Sequence, residues 1–313
     1  MNNMNKPNNT NNKTTKKIAF LFLTLENPNF PEIWDEYFKG HESQYTLYIH
    51  PKYPEKLTWN KDKMIKELKE TAWGHITEAY IELLKAAYQD KNNYKFITIS
   101  ESCLPIKSFD KFYKDCINDS SCWIKKMNIS KYNFFERIEK QKIFAAKEKL
   151  LIPQKFIKHY ARFCLNRKTV KELLLKNQQH KLDFFHKMKV GDEFFMSVLD
   201  KNKLKYKDFA VTFDDWEYIH NQKKLIKNKL QKLYIKEKTA QDLNKKEELQ
   251  KYRNKIDELN KTFQDIAKSP KTIINVTKND DLEKIKKCNS YFYRKFSKDS
   301  NITKYWKNII NSN

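Results

Sequence analysis

Two adjacent carboxylates are the residues whose types and position most directly suggest chemistry. Asp192 and Glu193 follow Gly191, and the apolar run FFMSVL begins directly after them. A carboxylate can act as a general base and take the proton from an attacking hydroxyl group. The same residue types also cap helices, by accepting hydrogen bonds from the first free backbone N–H groups. The pair by itself leaves both interpretations open.

Basic residues near the end of the chain suggest a second chemical role. Arg294 and Lys295 lie side by side between aromatic residues in YFYRKFSKD. Sugar transfer from a nucleotide sugar needs a base for the acceptor hydroxyl and positive charge for the departing diphosphate. Many such enzymes hold a divalent metal with Asp-x-Asp, but this chain has none, and Asp215-Trp216-Glu217 is the nearest approach. We therefore expect basic side chains in place of a metal, and no cofactor besides the nucleotide-sugar co-substrate.

The net charge of +24 raises the question of a nucleic-acid partner, because cationic surfaces collect phosphates. Proteins that contact bases or phosphates bidentately favour arginine for its planar guanidinium group. Among the 63 basic residues the arginines are Arg137, Arg162, Arg167, Arg253 and Arg294. A general bias towards lysine explains the excess charge, so we expect no nucleic-acid partner.

The overall composition predicts a folded domain with a polar tail. Hydrophobic residues make up 39% and aromatic residues 14% of the 313 residues, which is enough for a packed core. Residues 1–16 are expected to be a disordered tail, and 17–313 the folded domain. The apolar run at 18–25 is too short to span a membrane. Five cysteines without a CxxC motif favour reduced thiols, so we expect a soluble cytoplasmic protein.

Glycine is rare in this chain and therefore informative. There are only three, Gly40, Gly74 and Gly191, against an average usage of roughly 7%. A sequence so poor in glycine should keep it where a positive φ or a close backbone approach requires it. The segments FKGHE, AWGHI and VGDEF are accordingly singled out, although Trp73-Gly74 could equally serve plain packing at a helix entry.

The first hundred residues alternate between predicted strands and helices. Apolar runs at 18–25, 45–50 and 94–100 predict buried strands. A short helix ended by Gly40 and an amphipathic helix at 75–90 lie between them. This order predicts an α/β fold with a mostly parallel sheet flanked by helices. Ligands bind at the carboxyl ends of such strands, where the chain has Thr24, His50, Glu101, Ser102 and Cys103.

A change of composition marks residues 221–268 as a helical insertion into that domain. The stretch has no Gly, Pro or Cys, and its apolar residues are spaced 3 or 4 apart, as in a coiled coil. The later members of this seam are Leu249, Tyr252, Ile256, Leu259, Phe263 and Ile266. We expect two helices folded as a hairpin after a strand at 209–218. One long helix, or self-association of two copies through this seam, remains an alternative.

Nine segments in order carry a resemblance to a known family. They are IAFLFLT, YTLYIHPK, AWGHITEAYIELLKAAYQD, FITISESCLPI, ARFCLNRKTV, VGDEFFMSVL, VTFDDWEY, SPKT and YFYRKF. The chain resembles the core-2/I-branching β-1,6-N-acetylglucosaminyltransferases and their xylosyltransferase relatives over about residues 18 to 298, without the insertion. The resemblance implies a GT-A type nucleotide-sugar-binding fold, inversion at the anomeric carbon and no metal requirement.

The resemblance also implies roles for particular residues. Glu193 matches the catalytic base, with Asp192 as the helix cap that aims it. Lys295 matches a basic residue that holds the donor diphosphate, and Lys271 of SPKT matches a second one that is usually arginine. Trp216 and Tyr218 match a Trp-x-Tyr that packs on the acceptor sugar in some members; in most proteins they would be core residues.

Some residues are added to the donor-binding and acceptor-binding candidates because of their place in the sequence. Arg294, Thr24 and His50 are assigned to the donor side, and Glu101 and Ser102 to the acceptor side. His50 could instead be structural, and Arg294 could simply face solvent. Cys103 resembles a nucleophile, but no histidine is placed to activate it, so we interpret it as a packing residue.

Three departures from the family pattern limit what the resemblance implies. Many animal members read Ile-His-x-Asp at the second strand, where this chain has Lys52, so the identity of the donor base stays open. The acceptor-binding residues of the middle segment have no counterpart at 125–160. Golgi members carry a membrane anchor and paired cysteines, which this sequence lacks.

Three functions follow from these observations. The first is an inverting, metal-independent glycosyltransferase that moves GlcNAc or xylose from a UDP-sugar to a hydroxyl of a glycan or glycoprotein. The second is a catalytically inactive relative that binds sugar or nucleotide, and the third is a basic scaffold that binds nucleic acid through 221–268. Glu193 and Lys295 favour the first over the second, and the lysine-dominated charge disfavours the third.

Overall fold

The computed structural model describes residues 15–127, 157–188, 190–199, 204–266, 270–276 and 281–312. The helices are α1 (Pro31–Phe38), α2 (Thr77–Tyr88), α3 (Phe109–Asn118), α4 (Arg167–Leu173), α5 (Gln179–Lys187), α6 (Glu217–Asp242), α7 (Lys246–Asp265), α8 (Asp281–Lys286) and α9 (Thr303–Asn311). The strands are β1 (Lys17–Thr24), β2 (Tyr45–Pro51), β3 (Asn93–Ser100), β4 (Leu104–Pro105), β5 (Cys122–Trp123), β6 (Lys126–Met127), β7 (Lys158–His159), β8 (Cys164–Asn166), β9 (Tyr206–Lys207), β10 (Thr212–Asp214) and β11 (Phe292–Arg294). Nearly all of the expected tail at 1–16 and much of 125–160 lie outside the described residues.

Strand β1 is buried on both faces, as its continuous apolar run predicts. Because successive strand side chains point to opposite faces, its residues enter two different cores. Ile18, Phe20 and Phe22 belong to one core. Ala19, Leu21 and Leu23 belong to the other. Helices α1, α3 and α9 pack into the first core, and α2, α4 and α5 into the second.

The central sheet has the strand order β2-β1-β3-β8-β5-β9. Strands β2 and β3 both pair in parallel with β1, as the alternation of strands and helices predicts. Strand β8 runs antiparallel to β3 and to β5, so this half of the sheet is mixed. The expected α/β architecture is confirmed, and it is consistent with a GT-A type fold.

A smaller sheet of order β10-β11-β4 attaches the last part of the chain to the centre of the domain. Strand β4 follows β3 after residues 101–103 and pairs antiparallel with β11, which in turn pairs in parallel with β10. The expected strand at 209–218 is therefore shorter, and helix α6 already begins at Glu217. This sheet carries Arg294 to the carboxyl end of β3.

Helices α6 and α7 form a hairpin rather than one long helix. They are joined by residues 243–245, where Asn244 has a left-handed φ of 53°. Ile226, Leu230 and Ile256 are buried between them, in a cluster separate from the two cores of the sheet. No helix among the described residues is long and apolar enough to cross a membrane. All five cysteines are unpaired.

Candidate active site

Three segments meet at the carboxyl ends of β1 and β3. The backbone N–H of Asn29 donates to the carbonyl of Glu101 at 2.8 Å, and its side-chain amide donates to the carbonyl of Phe296 at 2.8 Å. The N–H of Phe296 donates to the carbonyl of Ser102 at 3.1 Å. Two expected acceptor residues, Glu101 and Ser102, thus lie beside the segment that follows Lys295.

Arg294 does not face solvent. Its guanidinium lies 2.8 Å from the Asp214 carboxylate, and both side chains are largely buried. Lys295 follows directly, and its carbonyl accepts a bond from Ile273 N–H at 2.7 Å. Its side chain is partly exposed, and no acidic group of the described residues lies within 4 Å of its ammonium. The charge of Arg294 is therefore compensated by Asp214. The ammonium of Lys295 has no acidic partner among the described residues and is available to bind an anion.

Lys271 lies near this segment but is paired. Its ammonium is 2.6 Å from the Asp281 carboxylate, and its backbone N–H donates to the carbonyl of Asp215 at 2.8 Å. Asp215 is itself buried and ion-paired with Lys284 at 3.0 Å. The charge of Lys271 is thus compensated within the protein.

The aromatic pair Trp216 and Tyr218 lies at the start of α6. The backbone N–H of Trp216 donates to the carbonyl of Asp214 at 3.0 Å, which places the pair beside the Arg294 ion pair. Trp216 is partly buried, but the Tyr218 side chain is 53% exposed. In most proteins the tyrosine of a Trp-x-Tyr pair would be a core residue. Tyr218 is not, because its side chain is exposed.

His50 and Thr24 each make a hydrogen bond within the protein. The Nε2 atom of the buried His50 accepts a bond from the N–H of Lys69 at 2.9 Å, and burial lowers the pKa of the ring. The Thr24 hydroxyl donates to the carbonyl of Glu26 at 2.7 Å. No described hydrogen bond or ion pair joins His50 to the donor-side residues, so the structural interpretation of His50 is favoured.

Glu193 lies in a tight turn built by two of the three glycines. Val190 has a left-handed φ of 57°, and its N–H donates to the carbonyl of Gly74 at 2.6 Å. Gly74 also has a positive φ, of 78°. A Cβ atom at Gly191 would overlap the carbonyl of Phe185. Both glycines are thus required by the backbone of this turn, as their rarity predicts.

The prediction that Asp192 caps a helix is wrong. Residues 191–193 form a 3₁₀ turn followed by a second one at 195–198, and no side chain caps either. Asp192 is only 5% exposed, and its Oδ1 atom has no partner among the described residues. Burial, and then the charge of Glu193, raise the pKa of Asp192 to about 7. Arg162 partly opposes this shift.

This shift predicts a pH-dependent effect of Asp192→Asn. In the unfolded chain the pKa of an aspartate is about 3.9. Below about pH 4 the carboxyl of Asp192 is therefore neutral in both states, and its ionisation does not lower the free energy of unfolding. That free energy falls as the pH rises towards 7, the pKa of Asp192 in the folded protein. The stability of Asp192→Asn relative to wild type should therefore grow by about 2–4 kcal/mol between pH 4 and pH 8. Urea unfolding at several pH values measures this difference.

The matched control for that experiment is Asp208→Asn, because Asp208 is exposed and pairs with Lys125 at the surface. Its stability difference from wild type should not grow with pH. An Asp192→Asn difference that stays constant from pH 4 to pH 8 would show that Asp192 is ionised throughout.

The segment that precedes β8 has no role in the sequence-based prediction, yet it contacts Glu193. The Lys158 ammonium is 3.4 Å from the Glu193 carboxylate. The Arg162 guanidinium donates to the Tyr80 hydroxyl at 2.8 Å. Burial, and then the charges of Asp214 and Glu193, raise the pKa of Tyr160. In the sequence, only the rarity of arginine distinguished this segment, and within it that rarity singles out Arg162.

The chain is similar to known proteins in two comparisons. A family model described as Core-2/I-Branching enzyme matches residues 18–246, which include Glu193 but not Lys271, Arg294 or Lys295. Glycosyltransferase BC10 of Oryza sativa subsp. japonica is 25% identical over 118 residues. That alignment covers 34% of this chain and 30% of the rice protein. Because the family model matches most of the chain, the protein belongs to the Core-2/I-Branching enzyme family.

Proposed function

We propose that the protein is a glycosyltransferase that moves a sugar from a nucleotide sugar to a hydroxyl group of a glycan or glycoprotein. The observation that carries this proposal is a carboxylate and a basic segment that are linked through Tyr160 and Asp214. After burial, the charges of Asp214 and of Glu193 both raise the pKa of Tyr160, and Asp214 binds Arg294, the neighbour of Lys295. Family membership and the similarity to a glycosyltransferase support the same class of reaction.

The proposed mechanism is a single displacement. Glu193 takes the proton of the acceptor hydroxyl while the oxygen attacks the anomeric carbon of the donor. The bond from that carbon to the diphosphate breaks, and the ammonium of Lys295 stabilises the charge that develops on the leaving group. Attack from the face opposite to the leaving group inverts the configuration at the anomeric carbon.

The remaining residues are assigned by where they lie. Tyr218 is exposed and Trp216 is partly exposed, so the pair can pack against an acceptor sugar ring. Glu101 and Ser102 lie next to the Lys295 segment, and of the two only Glu101 is partly exposed, so we propose Glu101 for contact with the acceptor. Lys271 is the less favoured candidate for binding the diphosphate, because Asp281 already compensates its charge.

A panel of donors tests the proposed function. We expect nucleotide release from one of several UDP- or GDP-sugars, with UDP-GlcNAc and UDP-xylose as the first choices, and release that increases when an acceptor glycan is added. Absence of transfer with every donor, together with saturable binding of sugar or nucleotide, would instead support the inactive relative.

Activity should persist in EDTA. The chain has no Asp-x-Asp motif, and Lys295 can supply the positive charge that a metal would otherwise bring to the diphosphate. Turnover measured before and after exhaustive chelation should therefore be the same. Loss of turnover that manganese restores would contradict the metal-free mechanism.

We also propose that the α6–α7 hairpin is an insertion in the catalytic domain. Its buried cluster of Ile226, Leu230 and Ile256 is distinct from the two cores that surround the sheet. A helical pair with its own apolar seam does not need the sheet to bury that seam.

A further inference from the structure

The contact between Lys158 and Glu193 joins two elements that are distant in sequence. The Lys158 ammonium lies 3.4 Å from Oε2 of Glu193. The side chains are only 13% and 27% exposed, respectively. Exposed ion pairs are weak because water and salt screen them, and this pair is more shielded than a surface pair. A lysine this buried stays charged at low cost only beside a compensating carboxylate.

The backbone that carries Lys158 is fixed to the turn that carries Glu193. The N–H of Ile157 donates to the Ser197 hydroxyl at 3.0 Å, and that hydroxyl lies 3.3 Å from the carbonyl of Ile157. The ring of the buried His159 packs against Phe195 with 5.5 Å between centroids. The pairing of β7 with β6 holds the other side of the segment. Lys158 is thus held against Glu193 from both directions.

We propose that Lys158 is a positioning residue for the general base. It holds Oε2 of Glu193, so that Oε1 is left to accept the proton of the acceptor hydroxyl. This proposal rests on the proposed function. It adds a cation that holds the carboxylate of Glu193 in one orientation before the acceptor binds.

Other titratable groups lie in the turn of Glu193 and on the elements that pack against it. Asp192 precedes it in the turn, and Tyr160 faces it from the segment after β7. Helix α2 contributes Tyr80, which accepts a bond from Arg162, and Glu78 of α2 pairs with His186 of α5 at 3.2 Å. Among the described residues, Lys158 is the cation with an ammonium within 4 Å of the Glu193 carboxylate.

The test compares Lys158→Met and Lys158→Arg with wild type. Methionine keeps the length and apolar packing of the side chain but removes its charge. We expect kcat to fall by up to about 10²-fold, because a misplaced catalytic group loses orientation. The acid limb of the kcat/KM profile should move to higher pH, because a nearby cation favours the ionised carboxylate. Lys158→Arg should restore most of the lost kcat and should return the acid limb towards its wild-type position.

The matched control is Lys125→Met. Lys125 also lies 3.4 Å from a carboxylate, that of Asp208, but it is 40% exposed and Asp208 is 53% exposed. Its loss should change neither kcat nor the acid limb. A purely structural role for Lys158 would lower the melting temperature and leave the acid limb in place, which would overturn the proposal.

A second measurement does not depend on turnover. Carboxyl ¹³C NMR of protein labelled at glutamate, with Glu193→Gln for assignment, gives the pH at which Glu193 titrates. We expect Lys158→Met to raise that pH and Lys125→Met to leave it unchanged. If the titration moves but the wild type transfers no sugar, the proposed function fails and the pairing stands. If transfer occurs but the titration does not move, the positioning role fails alone.

Discussion

Glu193→Gln should lower kcat by roughly 10²–10⁴-fold, the usual contribution of a positioned general base. Glutamine keeps the size and packing of the side chain but cannot take a proton at neutral pH. The KM for the donor should change little, because the donor is held by the basic segment around Lys295. Initial rates of sugar transfer at saturating donor and acceptor measure this effect.

The stability of this variant separates catalysis from structure. The loss of the ion pair to Lys158 should cost about 1–3 kcal/mol, because the side chains are only 13% and 27% exposed and the ammonium loses its partner. Asp192→Asn is the comparison variant, because it changes the neighbouring carboxyl, whose pKa is raised to about 7, without touching the proposed base. Normal turnover by Glu193→Gln with the acceptor that the wild type uses would remove the base assignment.

The strands and helices of the first hundred residues could be predicted because their patterns are local. An uninterrupted apolar run such as Ile18–Leu23 specifies a strand with two covered faces, and the amphipathic period of α2 specifies a helix. The same local patterns fail at 191–198. Nearly every side chain there is buried, so the sequence has no polar face to reveal its period. The left-handed Val190 then starts 3₁₀ turns instead of a capped helix.

The candidate site was only partly predictable because its contacts join distant segments. Glu193 and Lys295 could be identified from matched motifs, but the pairing of Lys158 with Glu193 depends on the β6–β7 strands and the clamp at Ser197. The ion pair of Lys271 with Asp281 likewise depends on where the start of α8 lies in the folded chain. Lysine is so abundant in this chain that composition cannot tell a site lysine from a surface one.

Arg294 and Lys295 are neighbours, yet the structure gives them different roles. Arg294 is largely buried and bound to Asp214 at 2.8 Å, so it fixes the end of β11. Removal of Arg294 would leave Asp214 as an uncompensated buried charge, which destabilises a fold. Lys295 is partly exposed, and its ammonium lies within 4 Å of no acidic group of the described residues. Its removal should therefore affect the ligand and not the fold.

Lys295→Ala should raise the barrier to sugar transfer by about 3 kcal/mol, or roughly 10²-fold in kcat, the typical loss when a preorganised charge partner of the transition state is removed. The melting temperature should stay close to that of the wild type. Lys298→Ala is the control, because Lys298 lies three residues further along and is exposed. Its turnover should be unchanged. Wild-type turnover by Lys295→Ala would assign the diphosphate to another cation. Lys271 would then be the next to replace, since a bound diphosphate could draw it away from Asp281.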